Sequence, residues 1–488
     1  MRLEVFLYFL VYLLFLLHGI YQIVSIRGEI WTLRKYNFAP AIWKLPPRDH
    51  FNDELENFKS FVLRNIGWYL LHLVSSSVVR HFNKNIVPFV HALVGFVFIL
   101  YSYNVFVVFV LSTKLISFFL ASRLNSKSSK WFLAAVWMTV IYYFKTKQET
   151  DNSYLNYEQY YEVYNIFSWS VLKCLSFSLD TTSKRKDWLN FLGYTLYFPT
   201  IIFGPFFLYK RYSDDKMYNS LKERTTNLIK ELVKLFLIMG AVHMSLSFLY
   251  INYMQIDFDA VLLLRNQFGL YGFGYFMGQY FHLHYYITYG TGLAFGKFDD
   301  IKTPPKPQCV GRIYFYSDMW KFFDPGLYEF LFIHIYASSC GKNSPPYKKI
   351  LAVLATFAFV YVWHGLVFYI FLWAVFNMLC LSLEKALKAV LASEWYQRTV
   401  VRNLSPSNQM RLFCILGTQI FMPSAIANFY FFGGEEIGTH FLKSTYTTGI
   451  IHYIFTSFIC YCIFSVAVFI TDIVDEKSGR KHKTWIKN

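Results

Sequence analysis

Apolar runs long enough to cross a bilayer, roughly 20 residues each, recur between Val5 and Val474 and leave only short polar stretches between them. In hydrocarbon, each backbone N–H and C=O must find its partner within the chain, so continuous runs of this length fold as helices. They lack the strict alternation of a membrane β-barrel. The expectation is an all-α, polytopic integral membrane protein with about 9–11 spanning helices, plus re-entrant or amphipathic segments around a central cavity. At 55% hydrophobic and 21% aromatic, the 488 residues are too apolar for a water-soluble protein of this size.

The first run, Val5–Ile26, is followed by no small-residue cleavage site and reads as a retained span. Phe61–Val79, Ile86–Tyr103 and Val105–Leu120 come next, and Trp131–Phe144 is short for a span. Ile166–Leu179 reads as a buried helix. Leu189–Leu208 contains Gly193, Pro199, Gly204 and Pro205, breakers that predict a re-entrant or broken segment lining a cavity. Asn227–Met254 and Tyr271–Phe295 follow, the second carrying Gln279, His282, His284 and Tyr289, which are expected to face the interior. Ser317–Ser339 has the spacing of one amphipathic helix, lying along the membrane or dipping into it. Ile350 opens another span, Ala386–Asn408 is a charged connector, and Arg411–Phe432 and Thr447–Val474 complete the set. No internal repeat is visible, so residues 1–488 read as one integral-membrane domain with a core at about 270–440.

The net charge of +17 sits largely in short loops and in a basic tail at about 475–488, which the positive-inside rule assigns to the cytosol. No soluble basic domain exists to bind nucleic acid. Seven cysteines show no paired or zinc-type spacing. Cys309 stands apart because its loop, TPPKPQCVGR, is polar and does not need a thiol for packing.

His364 lies inside an otherwise apolar stretch of about thirty residues, LAVLATFAFVYVWHGLVFYIFLWAVFNMLCL. An ionisable group placed there costs a few kcal/mol and by default marks function; the competing reading is a buried histidine bonded to a neighbouring helix. Asp324, in FFDPGL, reads alone as a polar turn or a helix start.

Together, DMWKFFDPGLYEFL and VWHG resemble the membrane-bound O-acyltransferase superfamily. Most members pair the histidine with asparagine; here the partner is Asp324. PQCVGRIYFYSDMWKFFD, TFAFVYVWHG and NFYFFGGEEIG are similar to the hedgehog acyltransferases in particular, and NDELENF with GYFMGQY to their insect branch. The resemblance covers nearly the whole chain and is densest from Gly274 to Gly438. It implies transfer of palmitate from palmitoyl-CoA to the N-terminal cysteine of a secreted protein, Hedgehog or an EGF-type ligand, in the endoplasmic-reticulum membrane, with the Golgi as alternative. It also implies His364 and Asp324 as the catalytic pair, Asn428 near the acyl carbonyl, Trp320 beside the acyl chain, and Cys309 as ligand of a haem b.

An α-amine has a pKa near 8 and must lose its proton before attacking a thioester, so a base at the site helps. The sequence leaves open whether His364 or Asp324 takes that proton. Basic loops at Lys302–Arg312 and Lys342–Lys349 would suit the CoA phosphates or serve as ordinary cytosolic flanks. Two alternatives stand beside this reading: a family member acting on a lipid or serine hydroxyl, and a proton-coupled transporter. Asp324 argues against the first, and the lack of an inverted repeat against the second.

Overall fold

A computed structural model describes residues 2–33, 37–40, 44–151, 155–181, 187–214, 220–341 and 343–477 of the chain; among them, helices dominate and the single β-bridge joins Ala39 and Arg48. The N-terminal half contains α1 (Arg2–Ser25), α2 (Asp53–Arg64), α3 (Ile66–Phe82), α4 (Val87–Ser102), α5 (Val105–Ser122), α6 (Lys127–Asp151), α7 (Tyr157–Leu179) and α8 (Trp188–Thr195). Then come α9 (Leu221–Ser245), α10 (Gln267–Phe298), α11 (Tyr316–Phe323), α12 (Pro325–Phe330), α13 (Pro346–Trp363), α14 (Phe368–Ala392), α15 (Pro406–Tyr446) and α16 (Ile450–Lys477).

Asparagines open many of these helices. Asn52, Asn104, Asn156 and Asn266 each accept a backbone N–H from the first turn of α2, α5, α7 and α10. These caps satisfy donors that a helix N-terminus otherwise leaves unpaired.

Seven helical stretches among the described residues are long and apolar enough to cross a membrane. α9 and α10, at 25 and 32 residues, have the length but carry more polar side chains. α1 and α5 turn Phe6, Leu7, Phe106 and Phe109 outward, which suits hydrocarbon rather than water. The interior holds α7, buried almost continuously from Ser170 to Leu179, and the segment predicted to be broken. That segment is α8, a short turn at Phe198–Thr200 and an extended stretch, all buried from Phe206 to Tyr209. Its backbone is non-helical where protein surrounds it, as the glycines and prolines require.

Three readings of the sequence are corrected. The predicted single helix over Ser317–Ser339 is interrupted at Asp324, because a capping aspartate followed by proline starts a new helix. Asn227–Met254 is not one span: α9 stops at Ser245, and Ile251–Ile256 forms a separate short helix. The charged connector from Ala386 is helical to Ala392, where α14 ends, and again over Glu394–Tyr396 and Gln397–Val401.

Between α3, α4 and the end of α10 lies a buried polar knot. His72 Nε2 and the Tyr197 hydroxyl meet Asp299 Oδ2 at 2.8 and 2.6 Å. Arg80 bonds Asp300 Oδ2 at 2.8 Å and Asp299 Oδ1 at 3.3 Å, while Arg224 lies 3.5 Å from Asp300. Two aspartates thus face two arginines, and charge balance is what makes such burial tolerable.

Candidate active site

Asp324 is held by the start of α12. Pro325 occupies the first turn, where a missing N–H costs nothing, and Asp324 Oδ1 accepts the Leu327 N–H at 3.0 Å. Its other oxygen accepts the Tyr289 hydroxyl of α10 at 3.2 Å. Burial pushes the Asp324 carboxyl up to about 6, against the bonds from Leu327 and Tyr289 that favour the carboxylate. Gly326 seats the turn: a Cβ there would lie 1.9 Å from the Phe206 carbonyl oxygen. Only glycine lets α12 rest on the broken segment in this way.

His364 does not sit inside a span, as its apolar surroundings suggested. α13 ends at Trp363, the His364 N–H closes the last turn onto the Val360 carbonyl at 3.0 Å, and Gly365 follows at φ +87°. Leu366 also has a positive φ, and α14 opens at Phe368. A left-handed glycine just past a helix end is the usual stop, and apolarity alone does not reveal it. The imidazole stands edge-on to Phe431 and Trp373, with ring centroids 5.3 and 6.1 Å away. Among the described residues, neither ring nitrogen is hydrogen-bonded.

Asn428 projects from α15. Its Oδ1 accepts the Tyr316 hydroxyl at 3.1 Å and the Trp373 indole N–H at 3.4 Å, while Nδ2 donates to the Ser424 carbonyl at 3.1 Å. With the oxygen occupied by two donors, one amide hydrogen is left over. Trp320, on α11, donates to Asn377 Oδ1 at 3.0 Å and packs on Trp373 and Phe357 at 5.4 and 5.2 Å.

All four side chains line one cavity of about 520 Å³. Its walls also draw on Glu54 of α2, Lys145 of α6, Tyr160 to Trp169 of α7, and Ile202 and Phe203, well outside residues 270–440. A second, mostly apolar cavity of about 190 Å³ shares Tyr316, Met319, Asn428 and Phe432 with the first. His284 and Tyr289, expected to face inward, line the larger cavity; Gln279 lines the smaller, and His282 is buried outside both.

Cys309 falls elsewhere. Its thiol is exposed, lies 3.8 Å from Gln279 Oε1, and is not among the residues lining the adjacent smaller cavity. In the basic loop that it closes, Lys302 pairs with Asp214 at 3.2 Å and Lys306 pairs with Glu231, so both cations are engaged within the chain. Lys342 and the tail beyond Lys477 lie outside the described residues. His72, His91 and Asp299 have ligand atoms within 4.8 Å of one another, close enough to hold a metal. Arg80 already supplies the positive charge that Asp299 needs.

Sequence reasoning passed over Trp373, which touches His364, Trp320, Phe431 and Asn428 and holds the site's aromatic wall together. It also passed over Tyr316 and Glu54. Tyr316 lies in a stretch quoted for its resemblance, four residues before Trp320, and that helical spacing was the available signal.

A helical membrane fold with a half-buried histidine and carboxylate on one internal cavity fits a membrane acyl-transfer enzyme, and the chain belongs to the membrane-bound O-acyltransferase family, whose profile matches residues 115–427. It is 37% identical, over 98% of its own length and 97% of the relative's, to the protein-cysteine N-palmitoyltransferase Rasp of Drosophila melanogaster. It is also 26% identical to the protein-cysteine N-palmitoyltransferase HHAT of Mus musculus, over 56% of this chain and 54% of that one. The mouse HHAT-like protein is 24% identical over 44% of each chain.

Proposed function

We propose that this protein transfers a palmitoyl group from palmitoyl-CoA to the α-amine of an N-terminal cysteine on a secreted protein of the Hedgehog kind, and on EGF-type ligands bearing the same terminus. The observation that carries the reading is the gathering of His364, Asp324, Asn428 and Trp320 on one cavity in a chain alike from end to end to a named cysteine N-palmitoyltransferase. A CoA thioester made in the cytosol and a protein terminus exposed in the lumen meet in the endoplasmic-reticulum membrane, and a cavity inside the bilayer serves both.

In the proposed reaction Asp324 receives the substrate ammonium, a cation that compensates a half-buried carboxylate. The ammonium first sheds one proton to solvent, leaving a neutral amine, and His364, whose ring nitrogens are not otherwise engaged, takes the second proton as that amine attacks the thioester carbonyl. The remaining Asn428 amide hydrogen donates to the carbonyl oxygen as it gains charge. The carbon–nitrogen bond forms, the carbon–sulfur bond breaks, and His364 returns the proton to the departing CoA thiolate, so the products are an amide and free CoA. Trp320 and its aromatic neighbours flank the acyl chain, which gains about 0.8 kcal/mol for each buried methylene. The resemblance's haem b would be held by Cys309, an exposed thiol, and no step uses it.

The test uses purified protein in detergent with palmitoyl-CoA and two peptides that start with cysteine, one of them N-acetylated. Hydroxylamine-resistant palmitate on the free peptide alone supports the reading. Transfer instead to a serine peptide or a lysolipid sinks it.

A further inference from the structure

Lys173 carries an amine that the mechanism does not use. It lies within α7, is 1% exposed, and pairs with no carboxylate among the described residues. Burying an amine without a counter-charge is expensive, so what its hydrogens bond is informative. Nζ reaches the Thr200 hydroxyl at 3.1 Å and the Thr200 carbonyl at 3.3 Å. The other buried lysine nearby, Lys114 of α5, bonds the Phe167 carbonyl and the Ser170 hydroxyl, both within α7. Of the two, Lys173 is the one that holds the broken segment.

The stretch after Thr200 seats both partners of Asp324. Residues 201–208 are non-helical, and Gly204 bends them at φ +69°. A Cβ at Gly204 would lie 3.3 Å from Tyr289 Cε1, so the bend packs against the ring whose hydroxyl donates to Asp324. One turn further along α10, a Cβ at Gly292 would lie 2.5 Å from the Gly204 carbonyl oxygen and 3.1 Å from Thr200 Cγ2. Two residues past the bend, the Phe206 carbonyl is the seat of Gly326, and so of the helix start that Asp324 caps. Trp169, one turn before Lys173 on α7, touches the same bend and packs on Trp363, the neighbour of His364, at 6.1 Å between ring centroids. Irregular backbone has no repeating ladder of hydrogen bonds to fix it, so side-chain clamps do so. Ser176 and Tyr194 hold the far arm, at the Tyr209 N–H and the Phe207 carbonyl; Lys173 holds the near arm. We infer that Lys173 is a positioning residue: by fixing Thr200 it fixes the bend at Gly204, and through the bend the approach of Tyr289 to Asp324. The inference rests on the proposed acyl transfer and adds to it a residue outside the cavity wall.

The experiment compares the wild type with Lys173→Met, which keeps the bulk of the side chain and removes its donors, and with Thr200→Val, which keeps the shape of its partner and removes the hydroxyl. Two quantities are read: the titration of Asp324, followed by the infrared carboxyl stretch with Asp324→Asn as the blank, and kcat and KM for palmitate transfer to a peptide with N-terminal cysteine. In Lys173→Met the bend relaxes and the Tyr289 bond lengthens, so Asp324 loses a donor to its ionised form and its midpoint should move to higher pH. Turnover should fall about 10²-fold, the scale of a 1 Å misplacement, with KM for palmitoyl-CoA unchanged. Thr200→Val should show both changes in smaller measure, and it decides the question if Lys173→Met does not fold. Adding Tyr289→Phe to Lys173→Met should move the midpoint little further, because the bond it removes is already weakened. A midpoint at its wild-type pH in both single variants, whatever their thermal stability, overturns the inference. Shifts that add in full in the double variant overturn it too. Absence of transfer by the wild type overturns the acyl-transfer reading, while the infrared titration still decides whether Lys173 governs Asp324.

Discussion

Tyr289 donates its hydroxyl hydrogen to Asp324 across 3.2 Å, linking the long helix α10 to the carboxylate at the start of α12. That bond favours the ionised carboxyl, whereas burial favours the neutral form and holds the group at about 6. Below that pH the carboxyl is protonated and can no longer anchor an ammonium, so kcat/KM for the peptide should fall as pH drops through about 6. Removing the donor in Tyr289→Phe raises the carboxyl further, so the limb should move to higher pH. Asp324→Asn should lose the limb altogether. A pH–rate profile of the three proteins is the check, and an unmoved limb in Tyr289→Phe contradicts the assignment.

His364→Ala removes the proposed proton acceptor and leaves the α13–α14 turn intact through Gly365. Transfer should fall by about 10²–10⁴-fold, the range for a lost general base. Peptide binding and thermal stability should stay near wild type.

Asn428→Ala deletes the free amide donor. We expect kcat to drop about 10²–10³-fold, the measured scale for one oxyanion-hole donor, with little change in KM for palmitoyl-CoA. Tyr316→Phe, which loses only a bond to the Asn428 oxygen, should do much less.

Trp320→Ala empties a volume bounded by Trp373 and Phe357. Palmitate transfer should weaken while longer acyl chains lose less, a shift read by competing acyl-CoA thioesters of graded length.

Gly326→Ala tests the seat of Asp324 directly. The new methyl cannot occupy a point 1.9 Å from the Phe206 oxygen, so α12 must shift. A displacement near 1 Å in a reacting group can cost about 10²-fold in rate. The variant should fold, bind palmitoyl-CoA and turn over poorly.

Much of this architecture was readable in the residues. The breakers between Gly193 and Pro205 announced an irregular buried segment, and FFDPGL held both signs of a helix start, an acidic cap and a proline behind it. His364, Asp324, Asn428 and Trp320 were recognisable by motif and meet on one cavity. What stayed hidden depended on three-dimensional neighbours. Hydropathy averages over a window, so it ran straight through His364 and missed the left-handed Gly365 that ends the helix. Trp373 is one more aromatic in a chain rich in them, and only its contacts distinguish it. Glu54 looked like part of a solvated acidic loop, because its distance from Asp324 along the chain says nothing of a cavity wall built by α2 and α10.

The helix break at His364 has a consequence for biogenesis. α13 and α14 form a hairpin whose tip is the short turn carrying the imidazole. A polar residue at the middle of a span taxes its insertion, by about 2.5–3.5 kcal/mol for a charged one. At a hairpin tip the two apolar arms can partition into lipid as a pair, with the histidine among the last groups to leave water. The nascent chain thereby installs this imidazole without ever exposing it, unshielded, to lipid.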